Sequence, residues 1–270
     1  MYYSIFILFV INLLRTRKML RLRRRLAIVM PTMAPTIPLL GIVFLGIFTQ
    51  SLTGFGFALV AMPFLIQLLG SATAAPLGAL IAITSQVLLT YRYRRMVNWR
   101  AIAPMSVAAV VGIPLGVKAL QVISSDLLLT VLGVVLVLYA AYALMELHLP
   151  RLAHPAWAVG AGFISGLLSG AYNVGGPPLV MYAGCQQWSP QEFKGNLQGI
   201  FLVNSLSVIV VHLVAGHYQP VVIANYVIAL PALAIGIVAG LTSDRWLNPV
   251  LFRRAVLVLL IGIGINLILS

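Results

Sequence analysis

Charge is scarce in this chain: 8% of its residues are charged, and only four of 270 are acidic. Soluble globular domains carry about 25% charged residues, so a surface that faces water cannot be assembled from this composition. The four acidic residues, Asp126, Glu146, Glu192 and Asp244, all fall at or beside the ends of apolar segments. None is available for the mid-depth carboxylate that proton antiporters and sodium symporters usually keep. Cysteine occurs once, as Cys185, which excludes an intramolecular disulfide framework and a multi-cysteine metal site. Alternation of the barrel kind is missing too, because the apolar runs are continuous and rich in Leu, Ala, Ile and Val. A nucleophile elbow is also absent: Ser165-Gly166 and Ser169-Gly170 with His212 lack the flanking spacing of a serine hydrolase, so no enzyme and no cofactor is expected.

What is present is apolar length. Hydrophobic residues make up 61% of the chain and the mean hydropathy is +1.07. Runs bounded by charges or turn residues cover about 37–70, 73–91, 101–121, 126–146, 156–187, 192–216, 220–241 and 250–269. Most are near the ~20 residues that carry a helix across the hydrocarbon. The reading is an all-α, multi-pass membrane protein, a polytopic helical bundle. The net charge of +13 invites a nucleic-acid reading, yet seven of the seventeen basic residues lie together between Arg15 and Arg25. The rest sit mostly between spans, as the positive-inside rule expects, and anionic lipid headgroups of the bilayer are the partner they imply rather than nucleic acid. Residues 1–14 are apolar but precede the basic cluster, the reverse of a secretory signal peptide. Residues 1–36 therefore read as a basic extension, with Met19, Met30 and Met33 as further candidate starts.

Two weakly similar halves follow, 37–147 and 156–270, joined by a linker at 148–155. A shift of 116 residues brings Gly54 onto Gly170 and Pro104 onto Pro220, and GIPLG (Gly112, Gly116) has a counterpart in GIVAG (Gly236, Gly240). Each half opens with an overlong segment broken near its middle, TGFGFALVAMP in one and SGAYNVGGPP in the other, and three simpler segments follow. If the broken segments cross, the halves are parallel. If they dip in and return, the halves are inverted, which places Arg92, Arg94, Arg95 and Arg100 on one face with Arg245, Arg253 and Arg254. The charge rule favours the inverted arrangement, although it leaves the Arg15–Arg25 cluster on the other side.

Broken segments in matched places point to a transporter site between repeats. Non-helical backbone at membrane depth is tolerated only where it is buried in protein or lines a cavity. Gly54, Gly56, Gly170, Gly175 and Gly176 permit the turns, and Pro177 is placed to open a new helix whose free amides and positive dipole end would receive an anion. Thr53, Ser169 and Asn173 add side-chain donors. Gln86, Gln198 and Asn204 are polar residues inside apolar runs, where such groups usually face the bundle interior. Proton coupling, if any, would fall to His212, which as a packed neutral core residue needs no such role. The competing class is a membrane partner or assembly protein that transports nothing.

The motifs TGFGFALVAMPFL, SGLLSGAYNVGGPPLVMY and SPQEFKGNLQ resemble those of the TauE/SafE family of sulfite and organosulfonate exporters and permeases, over about residues 37–270. The resemblance implies a bacterial inner-membrane transporter of small sulfur-containing or organic anions, by facilitated or alternating-access movement. Its two glycine-rich turns correspond here to Thr53–Phe57 and to Asn173–Pro177, and its following basic residue to Lys194. Phe55 and Phe57 stand where further glycine would complete the first turn. Lys194 also lies near a segment end, from which its side chain can reach the headgroups.

Overall fold

The computed structural model describes residues 36–145, 150, 152, 154–243 and 249–269. Leu39–Ser270 forms one compact unit. Residues 1–35 of the expected extension, the acidic residues Glu146 and Asp244, the basic residue Arg245, and part of the 148–155 linker lie outside the described residues. Within those described, the regular elements are helices: α1 (Thr36–Thr53), α2 (Phe57–Leu69), α3 (Ser71–Tyr93), α4 (Trp99–Val122), α5 (Ser125–Leu144), α6 (Pro155–Tyr172), α7 (Gly176–Gly184), α8 (Pro190–Val214), α9 (Pro220–Ser243) and α10 (Pro249–Leu269), with a single 3-10 turn at Arg94–Met96.

Among the described residues, seven helices are long and apolar enough to cross a bilayer: α1, α3, α4, α5, α8, α9 and α10. This is a multi-pass helical membrane protein. Mid-helix Val107, Val111, Leu138, Ile164, Val210 and Ile235 are exposed, which suits acyl chains and would be untenable as one patch in water. Gln50, Gln86, Asn204 and His212 are instead buried. The α2 and α7 helices, 13 and 9 residues long, rise only about 20 and 14 Å at 1.5 Å per residue. Neither spans a hydrocarbon core of about 30 Å.

The contacts give each helix a direction. Gly46 of α1 lies against Ala61 of α2 while Gly56 lies against Thr49, so α1 and α2 run antiparallel as a hairpin whose tip is residues 54–56. In the same way Ser165 donates to the Gly175 carbonyl at 2.8 Å, and Gln186 at the far end of α7 donates to the Leu152 carbonyl at 3.0 Å. Helix α7 thus returns to where α6 began, with residues 173–175 as its tip. Both overlong segments of the sequence fold back on themselves as hairpins.

The hairpins enter from opposite ends of the bundle. Met62 packs on Gly78 across the turn at Gly70, so α3 runs antiparallel to α2 and along α1. The Thr90 hydroxyl donates to the Gln198 carbonyl, while Ala79 and Val208 share a buried cluster with Ile113 and Val117, so α8 opposes α3 and runs with α4. Gly162, Gly166 and Gly170 of α6 lie against Met105, Ala109 and Ile113 of α4 in the same order. Helix α6 is therefore parallel to α4 and opposed to α1. Gly236 and Gly240 of α9 lie against Ile47 and Ser51 of α1, again in rising order. These glycines permit backbone contact that a Cβ would block.

Polar residues at the helix ends have local duties. Ser189 accepts from the Glu192 amide at 3.3 Å and Glu192 accepts from the Ser189 amide at 3.0 Å, a capping box that explains the polar start of α8. Asn196 accepts from the Asn98 amide at 2.7 Å, which fastens the start of α4 to α8.

Candidate functional site

The two tips meet at a cavity of about 50 Å³ whose lining comes from both hairpins and from α3 and α8. A liquid water has a share of about 30 Å³ and needs only ~10–15 Å³ of probe space, so the cavity suits waters or an anion of few atoms. Gly56, Phe57, Ala58 and Leu59 approach from the first tip, Asn173, Val174, Gly175 and Gly176 from the second, and Gln50, Gln86, Phe201 and Asn204 from the surrounding helices. No charged side chain is among the lining residues.

The tips differ chemically. Gly56 caps α2 in the left-handed region at φ 112°, and the first intrahelical bond runs from the Val60 amide to the Gly56 carbonyl at 3.0 Å. The amides of Phe57, Ala58 and Leu59 therefore have no acceptor within their own helix, and they open beside the cavity with the positive end of the dipole. Helix α7 begins at Gly176, followed by Pro177 and Pro178, which have no N–H to offer. Sequence reasoning favoured the second tip for its glycines and doubted the first for its phenylalanines; backbone donors are in fact more plentiful at the first.

Side chains hold both tips in shape. Asn173 adopts φ 57° and donates from Nδ2 to the Ala75 carbonyl at 2.7 Å. The Gln198 Nε2 donates to the Gly54 carbonyl, and the Thr53 hydroxyl lies 2.8 Å from the Thr49 carbonyl and 2.5 Å from that of Phe55. Asn204 donates to Ser165 Oγ at 3.1 Å and to Ser169 Oγ at 3.3 Å. Since the Ser165 hydroxyl hydrogen goes to the Gly175 carbonyl, its oxygen must accept, and Asn204 is fixed with its amide nitrogen toward the serines. Three polar atoms of lining residues are left buried without a protein partner: Gln50 Nε2, Gln86 Oε1 and Asn204 Oδ1.

Of the residues singled out from sequence, Gly56, Gln86, Ser169, Asn173, Gly175, Gly176 and Asn204 come together at the cavity. Thr53, Gly54 and Gln198 stand behind the first tip. Gly170 packs against the α4 backbone, and Pro177 faces an apolar groove beside Leu138, Trp157 and Met181. Lys194 is absent from the lining; its stem comes close to Gly54. His212 is fully buried outside the cavity, with its Nδ1 2.8 Å from His217 Nδ1. Gln50 was missed, although the rule that drew attention to Gln86, a polar residue deep in an apolar run, applies equally to it.

The family model described as Sulfite exporter TauE/SafE matches residues 39–267. The chain belongs to the TauE/SafE family. A curated relative, described as a probable sulfite/organosulfonate exporter TauE from Cupriavidus necator, is 29% identical over 243 residues, covering 86% of this chain and 94% of the relative. No solved structure matches the chain. Membership of TauE/SafE thus covers both hairpins and the helices that enclose the cavity.

Proposed function

We propose that this protein exports small anions, sulfite or organosulfonates, across the bacterial inner membrane, and that the anion is held between the two hairpin tips. Family membership and the relative described as a probable sulfite/organosulfonate exporter support anion export. The observation that carries the site is the cavity, which joins the unbonded amides of α2 to a buried, unpartnered Gln50 Nε2. Donors without a charged side chain suit a transported anion, which must leave as well as enter. An inside-negative potential assists outward movement of each monovalent anion by ~2.3 kcal/mol per 100 mV.

The two halves, 37–147 and 156–270, act as an inverted pair in this reading. Supporting it, each half has a hairpin followed by three helices, and α6 opposes α1 as α8 opposes α3. Arg92, Arg94, Arg95 and Arg100 then share the cytoplasmic face with Arg253 and Arg254. Alternating access arises as one half rocks against the other and opens the cavity first to one face, then to the other. Lys194, next to the first tip on the basic side, attracts anions toward the entrance rather than binding them in the cavity.

Reconstituted into proteoliposomes, the purified protein is expected to release preloaded radiolabelled sulfite faster than empty vesicles do, with acceleration when the loaded side is negative. Release no faster than in protein-free vesicles would favour a membrane partner without transport. The arrangement of the halves has its own check in a Cys185→Ser background carrying single cysteines. Residues 124 and 219 are expected to label from one side of the membrane and residues 95 and 154 from the other. Labelling of residue 219 together with residue 95 would instead establish parallel halves.

A further inference from the structure

From the polar atoms left over around the cavity, we infer that the site selects a small monoanion carrying its own hydrogen-bond donor, such as a hydroxylated or amino sulfonate or a protonated oxyanion like bisulfite. The inference rests on the reading of the cavity as the anion site and narrows the class of anion it takes. A site built only for a bare oxyanion would present donors. This one is lined by unpartnered donors and by an unpartnered acceptor. The donors are the amides of Phe57, Ala58 and Leu59, which lack an acceptor in their own helix, and Gln50 Nε2, 2% exposed and unpartnered. The acceptor is Asn204 Oδ1, buried without a partner on a side chain that is 4% exposed.

The Asn204 acceptor is not an arbitrary choice of amide orientation. Its Nδ2 is committed to Ser165 and Ser169, and Ser165 is in turn committed as donor to Gly175. Turning the amide over would set two oxygens against each other at Ser165. A buried acceptor facing a bare sulfonate oxygen or a methyl group stays unpaired, and that loss is what lets a polar site reject an analogue lacking the matching group. Seated with its anionic oxygens on the α2 amides and Gln50, a ligand whose hydroxyl or ammonium group reaches Asn204 satisfies donors and acceptor at once. The α7 tip cannot exchange roles with α2, because Pro177 and Pro178 have no amide hydrogens.

The test compares hydroxymethanesulfonate with ethanesulfonate, monoanions with the same number of non-hydrogen atoms that differ in one hydroxyl. Binding to the full-length protein in detergent is measured by calorimetry at mildly acidic pH, where the hydroxysulfonate is stable. Hydroxymethanesulfonate is expected to bind about tenfold tighter, the effect of one satisfied buried acceptor. Gln50→Met should weaken both ligands alike. Asn204→Ala should remove most of the preference; since it also releases two serines, the wild-type comparison decides the matter if it does not fold. Equal affinities for the two ligands on the parent protein would overturn the donor requirement and leave anion binding at the cavity intact. A Gln50→Met variant that binds both ligands as tightly as the parent would overturn the assignment of the donors. If neither sulfonate nor sulfite binds, the reading of the cavity as an anion site falls, and this inference with it.

Discussion

Replacing Gly166 by leucine is expected to leave no monodisperse protein after detergent extraction. Gly166 sits where α6 meets α4, and a Cβ there would run into the backbone of Ala109, with Gly162 and Gly170 one turn away in the same relation to Met105 and Ile113. The obstacle is main chain, which cannot step aside as a flexible side-chain end can. Overpacking a core costs about 1–3 kcal/mol even where neighbours can adjust. Four extra carbons against a backbone should exceed that, and ~3–5 kcal/mol corresponds to a fall of about 10 °C in melting temperature for a chain of this size. Size-exclusion profiles and thermal melts of Gly166→Ala and Gly166→Leu check it, with alanine intermediate. A leucine variant that melts with the parent would mean that the two helices can separate without consequence, and the close seam would have no structural role.

The second large effect is expected at Asn173, where valine should abolish transport and glycine should not. Asn173 ends α6 in the left-handed region at φ 57° and fastens the tip to the Ala75 carbonyl by a 2.7 Å bond. A β-branched residue is poorly tolerated there, at about 1–2 kcal/mol. The lost tie to Ala75 costs roughly another 0.5–1.5 kcal/mol. Asn173→Gly keeps the turn and loses only the tie, so the pair separates backbone shape from the cross-link. Sulfite efflux from vesicles is expected to fall more than about tenfold for valine and only a few-fold for glycine. Efflux by the valine variant at the parental rate would show that the tip's conformation is unimportant for passage.

These two positions also show how far the chain could be read before its structure. Both breaks were legible because glycine and proline interrupt apolar runs for one physical reason, the need for non-helical backbone at depth. The spans were legible because hydropathy over about twenty residues has little other use. The meaning of an individual glycine was not. Gly170 and Gly175 occupy one motif, yet the first packs on α4 and the second lines the cavity. Nothing in a residue without a side chain distinguishes close packing from close approach to a ligand.

Lys194 illustrates a second limit. Charge marks where a chain meets water or headgroups more strongly than where it meets a ligand, so the basic residue following the second turn drew attention away from a neutral cavity. Gln50 illustrates a third. Its importance depends on having no partner, which is a property of the folded surroundings rather than of the segment FTQSLTGFGF. The reversal of each broken segment depended likewise on contacts many residues apart, such as Gln186 with Leu152.

The proline pair at the start of α7 has a consequence for how many ions the protein handles at once. Two equally donor-rich tips, facing each other from opposite ends of the bundle, would form adjacent resting places, the arrangement by which channels pass ions in file, each displacing the next. Here one tip offers a full turn of amides, and the other loses the donors of its first turn at Pro177 and Pro178. If the anion passes between the tips as proposed, the potential along the path has a single well, displaced toward α2. On the proposed route one ion at a time would settle in it and turnover of the protein around that ion would limit throughput, so efflux is expected to saturate with rising substrate instead of climbing as it does through a pore.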